Sequence, residues 1–267
     1  MIDQTPIRLL APQLIKKDLP LLIYLPGMDG TGELFYKQIK FLSPFFSIYC
    51  LSISRYNRSN WHQLTEEMIK LIEKEIKENN LDKGVYLCGE SFGGCLAIKV
   101  ALAAPKLVEK MILINPASSF NKRPWLSLGV ELTQWIPDFV HQNSTLGFLP
   151  FLAALNRIER PDRQALLKAM QSVPKEIVSW RISLLRDFQV EQEELKSLTQ
   201  PILTIASHKD QLLPSVEEGQ ELVSYFVRGN LTILPHSGHA CLLETEVNLG
   251  KMLHKHDFLP TQMNYEL

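Results

Sequence analysis

The chain has 267 residues, 45% of them apolar, and its 28 Lys and Arg against 29 Asp and Glu leave a net charge of −1. This length suits one large α/β domain with room for an inserted cap, and the apolar share supplies a sizeable core and excludes a disordered chain. Near-neutral charge gives no general attraction to nucleic acid or to an anionic membrane, and nucleic acid is not expected as a partner.

Residues 1–18 hold at most one short strand, near Ile7–Leu10. The apolar run Leu21–Leu25 ends at Pro26-Gly27 and reads as a strand covered on both faces. A glycine-rich segment, Pro26 to Gly32, leads into a helix at about 33–42, and the next strand covers 46–53. From Trp61 to about Asn79, Leu64, Met68, Ile72 and Ile76 recur every four residues, the core stripe of an amphipathic helix. A strand at Val85–Cys88, a helix at 95–104 ended by Pro105, and a strand at 110–116 follow. This alternation predicts βαβ units on a mostly parallel sheet of about six strands flanked by helices. From about 117 to 199 the patterns are helical, without a convincing strand. Alternation resumes with a strand at 201–207, a helix near 215–226, a strand at 231–235 and a helix near 240–254. The expected organisation is therefore an α/β core of 1–116 and 200–267 interrupted by a helical cap at 117–199.

Cys50, Cys88, Cys95 and Cys241 form no CxxC pair, which points to buried thiols in a reducing compartment. The first residues lack the apolar core of a signal peptide, and no stretch reaches the roughly 18 apolar residues of a membrane span. The expectation is a soluble cytoplasmic protein.

Gly89-Glu90-Ser91-Phe92-Gly93-Gly94 fits G-x-S-x-G, and it lies between a strand and a helix. That setting makes the motif a nucleophile elbow, with glycines where a Cβ would crowd the strained serine. A serine hydroxyl needs a base to take its proton and an acid to orient that base. On such a sheet the order along the chain is Ser, acid, His, which selects Asp210, past the strand ending at Ser207, and His239, past the last predicted strand. His236 is the second choice of base, and Asp187 and Glu244 are reserve acids. His208 reads as solvent-exposed, and His254 and His256 as a solvated helix end, since no thiolate or carboxylate cluster accompanies them. No metal or organic cofactor is expected. The oxyanion hole is expected from the backbone N–H groups of Met28 and Phe92, with Gly27 and Asp29 beside them as substrate contacts. Ser118 and Ser119 follow a strand end near the site, and a role there and simple turn formation explain them equally well. The inserted block is rich in large apolar side chains, Leu149, Phe151 and Trp180 among them; most are expected to serve as packing, and Trp125, Trp135 and Phe148 are expected to line an acyl-chain pocket.

Ser91 in its motif, Asp210 and His239 together resemble the triad of the α/β-hydrolase superfamily across nearly the whole chain. Leu25-Pro26-Gly27-Met28-Asp29-Gly30-Thr31-Gly32, the stretch from Gly89 to Ala97, and Ile114 to Phe120 are similar to the hydrolase part of phytyl ester synthases and related esterase/lipase/thioesterase proteins of plants and cyanobacteria. The resemblance implies an α/β-hydrolase fold and ester chemistry on fatty acyl groups, with phytol or diacylglycerol as acceptors. It implies a hydrophobic acyl ester as substrate and transient contact with membrane lipid. The longer plant members carry a further acyltransferase-like domain, and here no His is followed by Asp five positions on, which favours hydrolysis. Acyl transfer, thioester cleavage and ligand binding without turnover stay open as alternatives.

Overall fold

The computed structural model describes residues 7–81, 83–120, 147 and 149–260. Strands β1 (Ile7–Leu10), β2 (Leu21–Leu25), β3 (Ser47–Ile53), β4 (Val85–Glu90), β5 (Lys110–Ile114), β6 (Ile202–Ser207) and β7 (Gly229–Leu234) form one sheet in the order β1-β3-β2-β4-β5-β6-β7. Every neighbouring pair is parallel except β1 with β3. The six strands expected from the sequence are the parallel set; β1 adds an antiparallel seventh at one edge.

The continuous apolar runs arise because both faces of the sheet are covered. Leu21, Ile23 and Leu25 pack in one core with Leu64, Met68 and Ile72 of helix α2 (Trp61–Asn79) and Leu96 and Val100 of helix α3 (Phe92–Ala103). Leu22 and Tyr24, pointing the opposite way, join a second core with Phe35, Leu42 of helix α1 (Tyr36–Leu42), and Leu249 and Leu253. Alternate residues of a strand thus feed opposite layers, as the pleat requires. Helix α2 starts where Asn60 caps it: Asn60 Oδ1 accepts from Gln63 N at 2.9 Å, and Gln63 Oε1 accepts from Asn60 N at 3.0 Å.

Strands β5 and β6 pair directly, Met111 opposite Ile202, although the segment from about 117 to 199 runs between them. Its described part holds helices α4 (Arg160–Ser172), α5 (Lys175–Arg186) and α6 (Gln192–Lys196). Helix α7 (Ser215–Tyr225) then precedes β7. The long final helix expected at 240–254 is instead a 3-10 turn, Cys241–Leu243, followed by a turn in which Val247 N donates to Glu244 O at 3.2 Å and then by helix α8 (Leu249–Lys255). The break has two causes: Glu244 is anchored by side-chain bonds, and Asn248 caps a new helix by accepting from Lys251 N at 2.9 Å.

Among the described residues no helix is long and apolar enough to cross a membrane, and no group of His, Cys, Asp or Glu could hold a metal ion. All four cysteines are buried and unpaired.

Among the described glycines, Gly93 has the least room against neighbouring backbone, and this yields a test. A Cβ on Gly93 would lie 2.0 Å from the Leu25 carbonyl oxygen and 2.6 Å from that of Pro26. Both obstacles are backbone, so Gly93→Ala should lower stability by about 3 kcal/mol or more, read as a fall in the urea midpoint.

Candidate active site

Ser91 joins β4 to α3 with φ 53° and ψ −115°. This is left-handed backbone for a residue with a Cβ, a strain on the order of 1–3 kcal/mol that the surroundings must hold. Glycine makes the turn possible: a Cβ on Gly89 would meet the Gly93 carbonyl oxygen at 2.4 Å, and one on Gly94 would meet Pro116 Cβ at 2.9 Å. The end of β5 fixes the turn from the side. Ser91 N donates to Ile114 O at 3.0 Å, and Ser91 O accepts from Ala117 N at 3.2 Å and Gly94 N at 2.9 Å. Ser91 itself is 7% exposed. The first amides of α3, those of Phe92 and Gly93, have no intrahelical acceptor and sit at the positive end of the helix dipole. The Phe92 side chain is committed to packing, stacked on Trp61 with ring centroids 4.7 Å apart.

The glycine-rich segment after β2 lies alongside. A Cβ on Gly27 would sit 3.7 Å from Ser91 Cβ, and the turn closes by Gly30 N donating to Gly27 O at 3.0 Å. Asp29 Oδ2 accepts from Thr31 N at 2.9 Å and Thr31 Oγ1 at 2.6 Å, so this carboxylate shapes the loop from within. Burial raises the Asp29 pKa, with the Thr31 bonds and the Arg181 charge opposing. Arg181, a buried residue of α5, donates to Met28 O at 2.5 Å and Ser54 O at 3.3 Å. Its Nη1 lies 2.7 Å from where a Cβ on Gly30 would be, so the loop closes over the guanidinium only because residue 30 is glycine. Burial lowers the Arg181 pKa to about 10 despite the opposing pull of Asp29.

On the loop after β6, Asp210 Oδ1 accepts from Leu212 N at 2.9 Å and Leu213 N at 3.0 Å. Its Oδ2 accepts from Ser215 Oγ and lies 2.7 Å from His239 Nδ1. A carboxylate only accepts, so the proton of this contact belongs to Nδ1 and the lone pair of the neutral ring is on Nε2. Burial pushes the Asp210 carboxyl up, but the His239 charge and the converging donors outweigh it and the pKa ends below its ordinary value. Burial pushes the His239 imidazole down, but Asp210, seconded by Glu90 and Glu218, brings it above its ordinary value.

Glu244 builds the base loop and is not a second acid for the imidazole. Fully buried, it accepts from Gly238 N and Ser237 Oγ at 2.8 Å each and from Arg157 Nε at 2.7 Å. The other reserve acid, Asp187, is exposed beside Arg186, and His236 and His208 are exposed as well. His256 Nε2 lies 2.5 Å from Thr232 Oγ1, a local contact at the sheet edge. Ser118 and Ser119 do more than form a turn. Ser118 Oγ, Ser119 N (2.8 Å) and Ser119 Oγ (2.6 Å) all donate to the buried Glu218 of α7. Burial raises the Glu218 carboxyl to about 7 against those bonds. Glu90, which accepts from Tyr24 OH, is raised to about 7 by burial too.

Asp210 and His239 are therefore in direct contact, and Ser91 stands at the end of β4, which β5 separates from β6. Asn115, Glu218, Arg181 and the structural use of Glu244 escape a reading of sequence; each acts on partners far along the chain, and only an Asn-Pro pair ending a strand hints at the first. Of the apolar insert, Trp125, Trp135 and Phe148 lie outside the described residues. Leu149 is buried and Phe151 half exposed, while Trp180 packs against the first core and donates Nε1 to Ser59 O at 3.3 Å.

An open, mostly parallel sheet with a serine elbow after one central strand and acid and histidine on later strand ends defines an α/β-hydrolase. The chain belongs to the family described as serine aminopeptidase, S33, which it matches over residues 53–246. It is 31% identical over 260 residues to phytyl ester synthase 1, chloroplastic, of Arabidopsis thaliana, covering 87% of this chain and 36% of that protein. The chain thus spans about a third of that plant relative. It is 25% identical over 204 residues to a pimeloyl-(acyl-carrier protein) methyl ester esterase of Vibrio campbellii, 73% of this chain and 78% of that one. Among solved structures, an esterase from Exiguobacterium antarcticum superposes with a TM-score of 0.75 at 19% identity over 94% of both chains.

Glu218 supplies a test of the electrostatics. Its folded pKa is above the ordinary carboxylate value near 4.3, so its contribution to stability is full below that pH and is lost as pH rises through about 7. Glu218→Gln keeps an acceptor for Ser119 N and removes the titration. The fall in urea midpoint between pH 4.5 and pH 7.5 should therefore be smaller in the variant than in the wild type.

Proposed function

We propose that the protein is a serine hydrolase of carboxylic esters bearing fatty acyl, lipid-like groups. Ser91 attacks the ester carbonyl while His239 Nε2 takes the hydroxyl proton. The negative charge that develops on the carbonyl oxygen is met by the N–H groups of Met28 and Phe92. His239 then passes its proton to the leaving alcohol, and Asp210 stabilises the imidazolium meanwhile. Water, activated by the same imidazole, cleaves the acyl-enzyme and restores Ser91. The observation that carries this reading is the 2.7 Å contact of His239 Nδ1 with a buried Asp210, on loops beside the strained Ser91 turn.

Arg181 supports the placing of Met28: with the Met28 carbonyl tied to the guanidinium, the loop holds one conformation. The lipid-like acyl group draws on the similarity to a phytyl ester synthase and on the apolar composition of the insert. That similarity also favours a second reading, transfer of the acyl group to an alcohol in place of water. Offering phytol or diacylglycerol beside water and weighing the products separates the two: acid alone means hydrolysis, new ester means transfer. A clear preference for acetyl over longer acyl esters would contradict the lipid-like substrate, and preference for acyl thioesters would make the protein a thioesterase.

Two outcomes are expected. Ser91→Ala should fold and lose about 10³-fold or more in the rate of p-nitrophenyl decanoate hydrolysis. Because the His239 pKa is raised and the base must be neutral, kcat/KM should fall as pH drops through a midpoint above about 6.5. Asp210→Asn should move that midpoint down and lower kcat by orders of magnitude; an unchanged profile would contradict the assignment.

A further inference from the structure

We propose that Asn115 is a positioning residue that locks the His239 loop to the loops carrying Ser91 and Asp210; the proposal rests on the triad reading above. Asn115 follows β5 directly and is fully buried. Its amide spends every strong bond it has on the two neighbouring loops. Nδ2 donates to His239 O at 2.7 Å and to Ser207 Oγ at 2.9 Å, while Oδ1 accepts from Ser207 N at 2.8 Å. The orientation of the amide is fixed chemically, since only oxygen can face the Ser207 N–H and only nitrogen can face the His239 carbonyl.

Each of these partners leads to a reacting group. Ser207 ends β6 and its carbonyl accepts from Asp210 N at 3.3 Å. His239 O belongs to the residue whose ring meets Asp210. On the other side of Asn115, Ile114 O and Ala117 N hold the Ser91 backbone. The Asn115 side chain therefore joins the Asp210 and His239 loops at their roots, and the backbone on either side of it holds the Ser91 turn. The residue type is specified twice over. Its φ of 41° is a left-handed conformation that asparagine tolerates better than most residues with a Cβ. Aspartate would keep the acceptor for Ser207 N but turn an oxygen toward the His239 carbonyl, leaving two buried acceptors face to face.

Displacement of a catalytic group by about 1 Å can cost on the order of 10²-fold in rate. The expected result for Asn115→Asp is thus a drop in kcat of about 10- to 100-fold with KM changed less than about threefold. The hydrogen-bonded Nδ1 proton of His239, observed by NMR, should shift or exchange faster with water. Asn115→Gly, which accepts the positive φ without strain, should reproduce both effects if the aspartate variant does not fold. Ile112→Val, which thins the core under the same strand, should lower stability while leaving the proton resonance where it is. A folded Asn115 variant with the wild-type resonance and kcat would overturn the proposal. If the wild type hydrolyses no ester, the functional reading fails by itself, and the Nδ1 proton alone decides whether Asn115 positions the ring.

Discussion

The Cα of Gly93 packs against the carbonyl oxygens of Leu25 and Pro26, with no space between them for a methyl group. Through this contact α3 begins hard against the end of β2, and Ser91 is driven to a positive φ at the tip of β4. The glycine-rich loop leaving β2 comes to lie beside Ser91 for the same reason. The turn holds because the sheet beneath it is buried on both faces, and a strained residue persists only where its surroundings leave no alternative.

The acidic groups around the site show how a protein keeps one carboxylate ionised and raises others. Asp210, Glu218 and Glu90 all lose hydration, which favours the neutral acid in each. Glu218 gathers three hydrogen bonds from neutral donors and still ends near 7. Asp210 adds the charge of an adjoining imidazole to its neutral donors and ends below its ordinary value. Neutral donors soften the cost of burial, but a partner that can carry positive charge reverses it. The same coupling raises His239, so acid and base are tuned as a pair.

Strand Val85 to Glu90, the G-x-S-x-G turn and the helix after it are local features, and a sequence displays local features directly. The meeting of Asp210 with His239 is legible because each follows a strand-length apolar run, and strand ends on an open parallel sheet share one rim. Contacts that close long distances along the chain were not legible. Nothing near Asn115 announces His239, and nothing near Arg181 announces Met28. The same limit holds at 240–254, which reads as one helix in the sequence and is two elements in the structure. Glu244 faces inward there to bind Ser237, Gly238 and Arg157, and that tertiary demand overrides helical spacing.

In the proposed mechanism the imidazole at residue 239 makes the hydroxyl at residue 91 nucleophilic. Peptide mapping by mass spectrometry after treatment with a fluorophosphonate tests it most directly. The account predicts a single adduct on the peptide containing Ser91, and its loss when His239 is replaced by alanine. An adduct on another residue, or undiminished labelling of Ser91 without the imidazole, would contradict it.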